Sequence, residues 1–117
     1  MAREDYPLYV HWSGTLDNIL QRVESFPRNA RFTLADRIVH AGLDVMERIV
    51  RAIYTSDRAA LLAEINIELE WLRVLFGIAH RRRYLSTKQY EAMARDIDTA
   101  GRMVGGWIKR SGKGEAA

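Results

Sequence analysis

The sequence contains no cysteine, so it can form no disulfide and offers no thiolate for catalysis or metal binding. That fits a cytoplasmic protein, where thiols stay reduced. Proline is almost missing: Pro7 and Pro27 are the only two, which leaves long stretches free to run as helix. No apolar run approaches the ~20 residues of a membrane span. The opening MAREDYPLYVHW lacks the basic-then-apolar pattern of a secretory leader. There is no internal repeat, no low-complexity tract and no strand pattern. Catalytic signatures are missing as well. No serine sits in a Gly-x-Ser-x-Gly elbow. The glycines at 101, 105 and 106 precede no Gly-Lys-Ser/Thr of a phosphate loop. No Glu stands three residues before His11, His40 or His80, so the Glu-x-x-His of di-iron bundles is lacking. No His-x-x-x-His pair offers a zinc site. We therefore expect no enzyme, no metal and no other cofactor. Each histidine reads as a surface or hydrogen-bonded side chain, although His80, beside three arginines, is placed to reach a phosphate.

What is present is an ordinary globular composition, 28% charged and 48% hydrophobic over 117 residues, long enough for one domain with a real core. Lysine is scarce. Fifteen arginines stand against three lysines, for a net charge of +3. Arginine pairs bidentately with phosphate and stacks on bases, which lysine does poorly. Codon usage in a GC-rich genome produces the same bias, so placement has to decide.

The most informative stretch is Ala59–Arg83. Fifteen of the twenty-two residues from Ala59 to His80 are apolar, and none is proline. The spacing predicts a helix of about six turns. Its apolar residues form two stripes on nearly opposite sides. One holds Leu62, Ile65, Leu69, Leu72, Phe76 and Ala79; the other holds Ala60, Ala63, Ile67, Trp71, Val74 and Ile78. A surface helix of a single domain needs one apolar stripe. Two imply burial by the chain itself on one side and by something else on the other. Periodicity does not say which is which.

The remaining chain supplies three more helices. Leu8, Trp12, Leu16, Ile19, Val23 and Phe26 share one face until Pro27 stops the helix. A short basic loop follows. Thr33 with Asp36 is a plausible N-cap pair for a second helix, which is also more apolar than one contact requires. Thr55-Ser56-Asp57 is a tight connection that supplies the cap of the third helix. Ser86 with Gln89 matches a capping box at the start of the fourth. Its inner stripe runs from Tyr90 to Ile108, with Glu91–Arg95 and Asp98–Arg102 as outer i,i+4 pairs. Gly101, Gly105 and Gly106 are expected to admit a neighbouring helix closely, with Trp107 over the gap. Glu64, Glu68 and Glu70 read as a solvated edge or as partners for a neighbouring subunit. The expected helices cover about residues 8–25, 33–54, 57–80 and 87–110, with a tail at 111–117. Short connections make this an all-α, antiparallel, up-down-up-down four-helix bundle, one domain over 1–117.

In that topology the basic residues collect at the ends. Arg22, Arg28, Arg31, Arg37, Arg81, Arg82 and Arg83 belong to one end. Lys109, Arg110 and Lys113 close the fourth helix at the other, beside Arg3 and Arg58. The helix dipole alone explains one or two cations at each C-terminus. It explains a run of three before Tyr84 less well, because arginines beside an aromatic grip phosphate and stack on bases. Spacing leaves both readings open.

The segments FPRNARFTLADRI (26–38), ELEWLRVLFGIA (68–79), LSTKQYE (85–91) and GRMVGGWIKR (101–110) add a further indication. Together they resemble a family of small four-helix bundles that includes the accessory variability proteins of diversity-generating retroelements. That family is related to proteins encoded in intervening sequences of ribosomal RNA genes. The likeness runs from about Leu8 to Arg110. It implies a homopentameric barrel and a basic surface for RNA or DNA. It also implies a reverse transcriptase partner, assisted in mutagenic copying of a template RNA. On this reading Arg22, Arg28, Arg31, Arg37, Arg81, Arg82, Arg83, Lys109 and Arg110 contact nucleic acid, and Ile67, Trp71, Val74 and Ile78 meet a neighbouring subunit. The alternative is an oligomeric scaffold for other proteins, with no nucleic-acid role. Either way, light scattering is expected to give a mass well above the 13.5 kDa of one chain. A stable monomer contradicts the two-stripe reading.

Overall fold

The computed structural model describes residues 2–112. A 3₁₀ turn (Arg3–Asp5) leads into α1 (Pro7–Val23), followed by α2 (Leu34–Ile53), α3 (Ala59–Arg81) and α4 (Thr87–Gly112). Among the described residues there is no strand. α1 packs on α2 and α4, and α3 packs on the same two. That cyclic adjacency, with short connections, is the expected up-down-up-down bundle, 47 Å long and about 22 Å across.

The helix limits follow from local chemistry. Pro7 occupies the first turn of α1, where its missing N–H costs nothing. α1 unwinds at Val23, two residues before its expected end, and turns through Phe26 to Pro27. What looked like a plain basic loop holds a 3₁₀ turn, Arg28–Ala30. Thr33 does precede α2, but its hydroxyl donates back to the Ala30 carbonyl at 3.4 Å and caps nothing. α3 begins two residues later than expected. The Arg58 guanidinium binds the Thr55 carbonyl through Nε (3.1 Å) and Nη2 (2.8 Å), which closes the 55–58 turn and makes Arg58 the N-cap. The capping box of α4 forms as the sequence predicts. Gln89 N–H donates to Ser86 Oγ at 3.1 Å, and Ser86 N–H donates to Gln89 Oε1 at 3.0 Å. α4 runs on to Gly112; the rest of the expected tail, with Lys113, lies outside the described residues.

The core is one apolar cluster drawn from all four helices. Trp12, Ile19, Ile38, Val45, Ile49, Leu62, Ile65, Leu72, Ile97 and Val104 are fully enclosed. Fully burying an aliphatic side chain of this size is worth about 1.5–3 kcal/mol. Helix α3 turns its Leu62/Ile65/Leu69/Leu72/Phe76/Ala79 stripe inward and adds Leu75.

The α1–α2 contact is the tightest place. The buried Trp12 indole N–H donates to the Gly42 carbonyl at 3.0 Å. A Cβ on Gly42 would stand 3.1 Å from Leu16 Cδ1 and 3.5 Å from Ile19 Cδ1. The glycine therefore lets α1 come close enough for the indole to reach the backbone. The glycines of α4 do not play this part. A Cβ on Gly105 would meet open space, and on Gly101 or Gly106 only the ends of Arg73 (3.4 Å) or Arg110 (3.5 Å). The close approach expected there is absent. Trp107 is instead covered by Tyr6, ring centroids 5.4 Å apart, and by Arg58 at 5.3 Å.

Gly42→Val places branched carbon against Leu16 and is expected to cost about 1–3 kcal/mol in urea denaturation. An unchanged midpoint would show that the α1–α2 contact is looser than described.

Candidate nucleic-acid interface

Two of the three helix junctions, α1 to α2 and α3 to α4, define one end of the molecule, with the first turns of α2 and α4 beside them. The 24–33 connection and the 82–86 loop are held together by the buried Phe26 ring, 5.4 Å from Tyr84. Arg22, Arg28, Arg31, Arg37, Arg81, Arg82 and Arg83 all lie at this end, as the sequence predicts. Lys88 joins them, lining a shallow recess with Arg22.

Pairing distinguishes this end from the waist. At the waist Arg48 of α2 bridges Glu64 (3.2 Å) and Glu68 (3.5 Å) of α3. Arg73 of α3 binds Glu70 (3.1 Å) and Asp98 of α4 (3.0 Å), and Arg51 reaches Glu47 (3.5 Å). The three glutamates of α3 are thus paired within the chain, with Glu64 and Glu70 along a largely exposed edge. Burial raises the Glu68 carboxyl above its ordinary value; Arg48 pulls it back and Asp44 pushes it up again. Asp98 turns to Arg73, so the expected Asp98–Arg102 pair does not form, and Arg102 donates to Thr99 instead. The expected Glu91–Arg95 pair does not form either. By contrast, none of the seven arginines at the basic end has a carboxylate within ion-pair distance among the described residues. Three of them lie over aromatic rings instead: Arg31 over Phe32 (5.9 Å), Arg37 over Trp71 (5.8 Å) and Arg82 over Tyr84 (5.9 Å). A guanidinium held this way keeps its donors free for phosphate.

Lys109 and Arg110 sit at the opposite end, and the structure does not bring them to the other seven. Arg110 lines a recess there with Tyr6 and Trp107. The sequence around that end is mixed in sign, with Glu4, Asp5 and Asp57 beside Arg3 and Arg58.

The arginine run carries a backbone feature that sequence reading missed. Arg83 has φ 65°, the one non-glycine in the left-handed region among the described residues. It closes α3 in a Schellman turn: Tyr84 N–H donates to the Ala79 carbonyl and Arg83 N–H to the His80 carbonyl, both at 2.9 Å. Glycine is the usual residue there, and an arginine costs about 1 kcal/mol more. His80 is occupied locally. Its ring stacks on Tyr90 at 4.5 Å and 6°, and Nε2 lies 3.1 Å from Thr87 Oγ1. His11 and His40 bind backbone carbonyls of Asp96 and Asp36. Among the described residues no group of His, Asp and Glu gathers as a metal site, and no helix is long and apolar enough to cross a membrane.

The second stripe of α3 lies outside. Ile67 is 71% exposed, Val74 46% and Trp71 38%, with Ile78 half-buried. Trp71 and Ile78 line a groove between α2 and α3 that Ile67 and Val74 do not enter. Phe32, 83% exposed in the turn before α2, faces the same groove. No spacing rule foresees this cross-helix meeting, because Phe32 and Arg37 are far from Trp71 along the chain.

A family model described as bAvd-like matches residues 12–111. Among solved structures, a protein of unknown function from the S23 ribosomal protein family of Bacteroides thetaiotaomicron superposes with a TM-score of 0.81. It shares 15% identity and covers 92% of this chain and 99% of its own, which establishes the shared fold. No curated protein matches the sequence.

Arg83→Gly is expected to raise stability by about 1 kcal/mol in urea unfolding, because it relieves the left-handed arginine. A destabilised variant would show that the Arg83 side chain contributes to the fold.

Proposed function

The chain belongs to the bAvd-like family, and from that premise we propose that it is a non-catalytic, nucleic-acid-binding accessory subunit of a diversity-generating retroelement. Its role is to assist a reverse transcriptase in the mutagenic copying of a template RNA. The observation that carries this reading is the cluster of seven arginines without carboxylate partners at one end of the bundle. Such a surface is sequence-blind: it attracts phosphate, positions RNA or DNA, and leaves the chemistry to the polymerase. Lys109 and Arg110 are at most a second, smaller contact at the other end.

Assembly completes the proposal. Copies associate through the outward stripe of α3, with Ile67 and Val74 at its centre and Trp71 and Ile78 at its border, as a homopentameric barrel. Five chains at +3 each carry about +15, enough to steer an anionic partner. In a closed ring whose bundles run parallel to its axis, every basic end lies on the same rim, so five arginine clusters act as one collar. The outward stripe alone also suits a scaffold for other proteins with no nucleic-acid role. A reverse-transcriptase gene and paired variable and template repeats beside this one distinguish the two.

The test is fluorescence anisotropy with structured RNA and duplex DNA, with and without the neighbouring reverse transcriptase. The parent is expected to bind with a steep salt dependence. Replacing Arg81, Arg82 and Arg83 together by Ala should flatten the slope of log K against log salt by about 2–3. Equal affinity and equal slope for parent and variant would remove the loop from the interface.

A further inference from the structure

The groove between the start of α2 and the end of α3 differs from the rest of the basic end in being lined with rings. Its volume is about 640 Å³, within the range of small-molecule sites. Phe32, Trp71 and Ile78 line it with Arg37 and Arg82, and the Arg37 guanidinium lies over one face of the Trp71 ring at 5.8 Å, leaving the other for a base. No carboxylate lines it. Phe32 is the most exposed large hydrophobic side chain among the described residues. It sits in the turn before α2, and the guanidinium of Arg31 covers one side of it at 5.9 Å. Tyr84 is different: Phe26 braces it, so it serves as wall more than platform.

We propose that this groove is a stacking site for unpaired bases of single-stranded nucleic acid, with Phe32 and Trp71 as platforms and Arg37 and Arg82 on the adjoining phosphates. The proposal rests on the nucleic-acid reading above and adds the class of ligand. Aromatic faces accept any unstacked base, while a duplex hides its bases from them. Flanking guanidiniums supply the phosphate contacts that a purely apolar protein-docking groove would lack. The missing carboxylates fit the same ligand, because a negative side chain there would repel the strand. This reassigns Trp71 and Ile78 from the subunit contact to the ligand groove and leaves Ile67 and Val74 outward.

The test uses the full-length protein in its native assembly and three labelled probes. They are a single strand of about twelve nucleotides, the same strand with abasic sites, and the corresponding duplex. The intact single strand is expected to bind about tenfold more tightly than the abasic one. It should also quench tryptophan fluorescence, which reports Trp71 because Trp12 and Trp107 are buried. Phe32→Ala, at an exposed position, should lose about tenfold for the intact strand and leave the abasic strand and duplex unchanged. If abasic and intact strands bind equally, or Phe32→Ala alters all three probes alike or none, the groove proposal fails while the phosphate reading of the basic end stands. If no probe binds at any salt, both fail. If Phe32→Ala lowers the light-scattering mass and leaves the preference for bases intact, the groove is a contact between copies and the proposal is overturned.

Discussion

Burial of one side of α3 fixes most of what matters in this molecule. Leu62, Ile65, Leu69, Leu72, Leu75, Phe76 and Ala79 close the core against α2 and α4. Their burial sets the rotation of the helix about its axis. With those seven inside, Ile67 and Val74 have no intramolecular surface to meet, and the stripe they belong to must face water or another molecule. The same rotation turns Trp71 toward Arg37 and places Glu64 and Glu68 against Arg48. Core packing thus decides the position of the outer apolar face, the aromatic groove and the neutralised waist together.

Charge is then sorted along the bundle axis. Cations at the waist meet carboxylates across helix seams, in partly exposed pairs worth a few tenths of a kcal/mol to about 1 kcal/mol each. Those at the α1–α2 and α3–α4 junctions meet none. A sparse net charge is therefore no measure of local potential: +3 overall coexists with seven arginines without a carboxylate partner at one end. The left-handed Arg83 makes the same point in backbone terms. A glycine would close α3 more cheaply, and the chain carries a cation there instead.

The sequence made the bundle, its order and the two stripes of α3 legible, because each rests on the 3.6-residue period. The capping box of Ser86 and Gln89 was legible for the same local reason. What was not legible depends on contacts between elements. Asp98 prefers Arg73 of another helix to Arg102 of its own, which no spacing rule foresees. Gly101 and Gly105 looked like a helix contact, while the real close approach is at Gly42, where the Trp12 indole reaches a carbonyl. The caps at Thr33 and within Thr55-Ser56-Asp57 do not form, because a backward hydroxyl bond and an arginine–carbonyl bond close those turns instead. For the candidate site, the arginines of one end were readable from topology, but the meeting of Phe32, Arg37 and Trp71 was not.

The central claim is that nucleic acid is held at the arginine-rich end. Hydrogen–deuterium exchange of the protein with and without bound RNA tests it directly. The account predicts slowed exchange confined to residues about 22–37 and 71–90, with the far end, about 50–60 and 100–110, unchanged. Protection centred on the far end, or spread evenly along the helices, would contradict it.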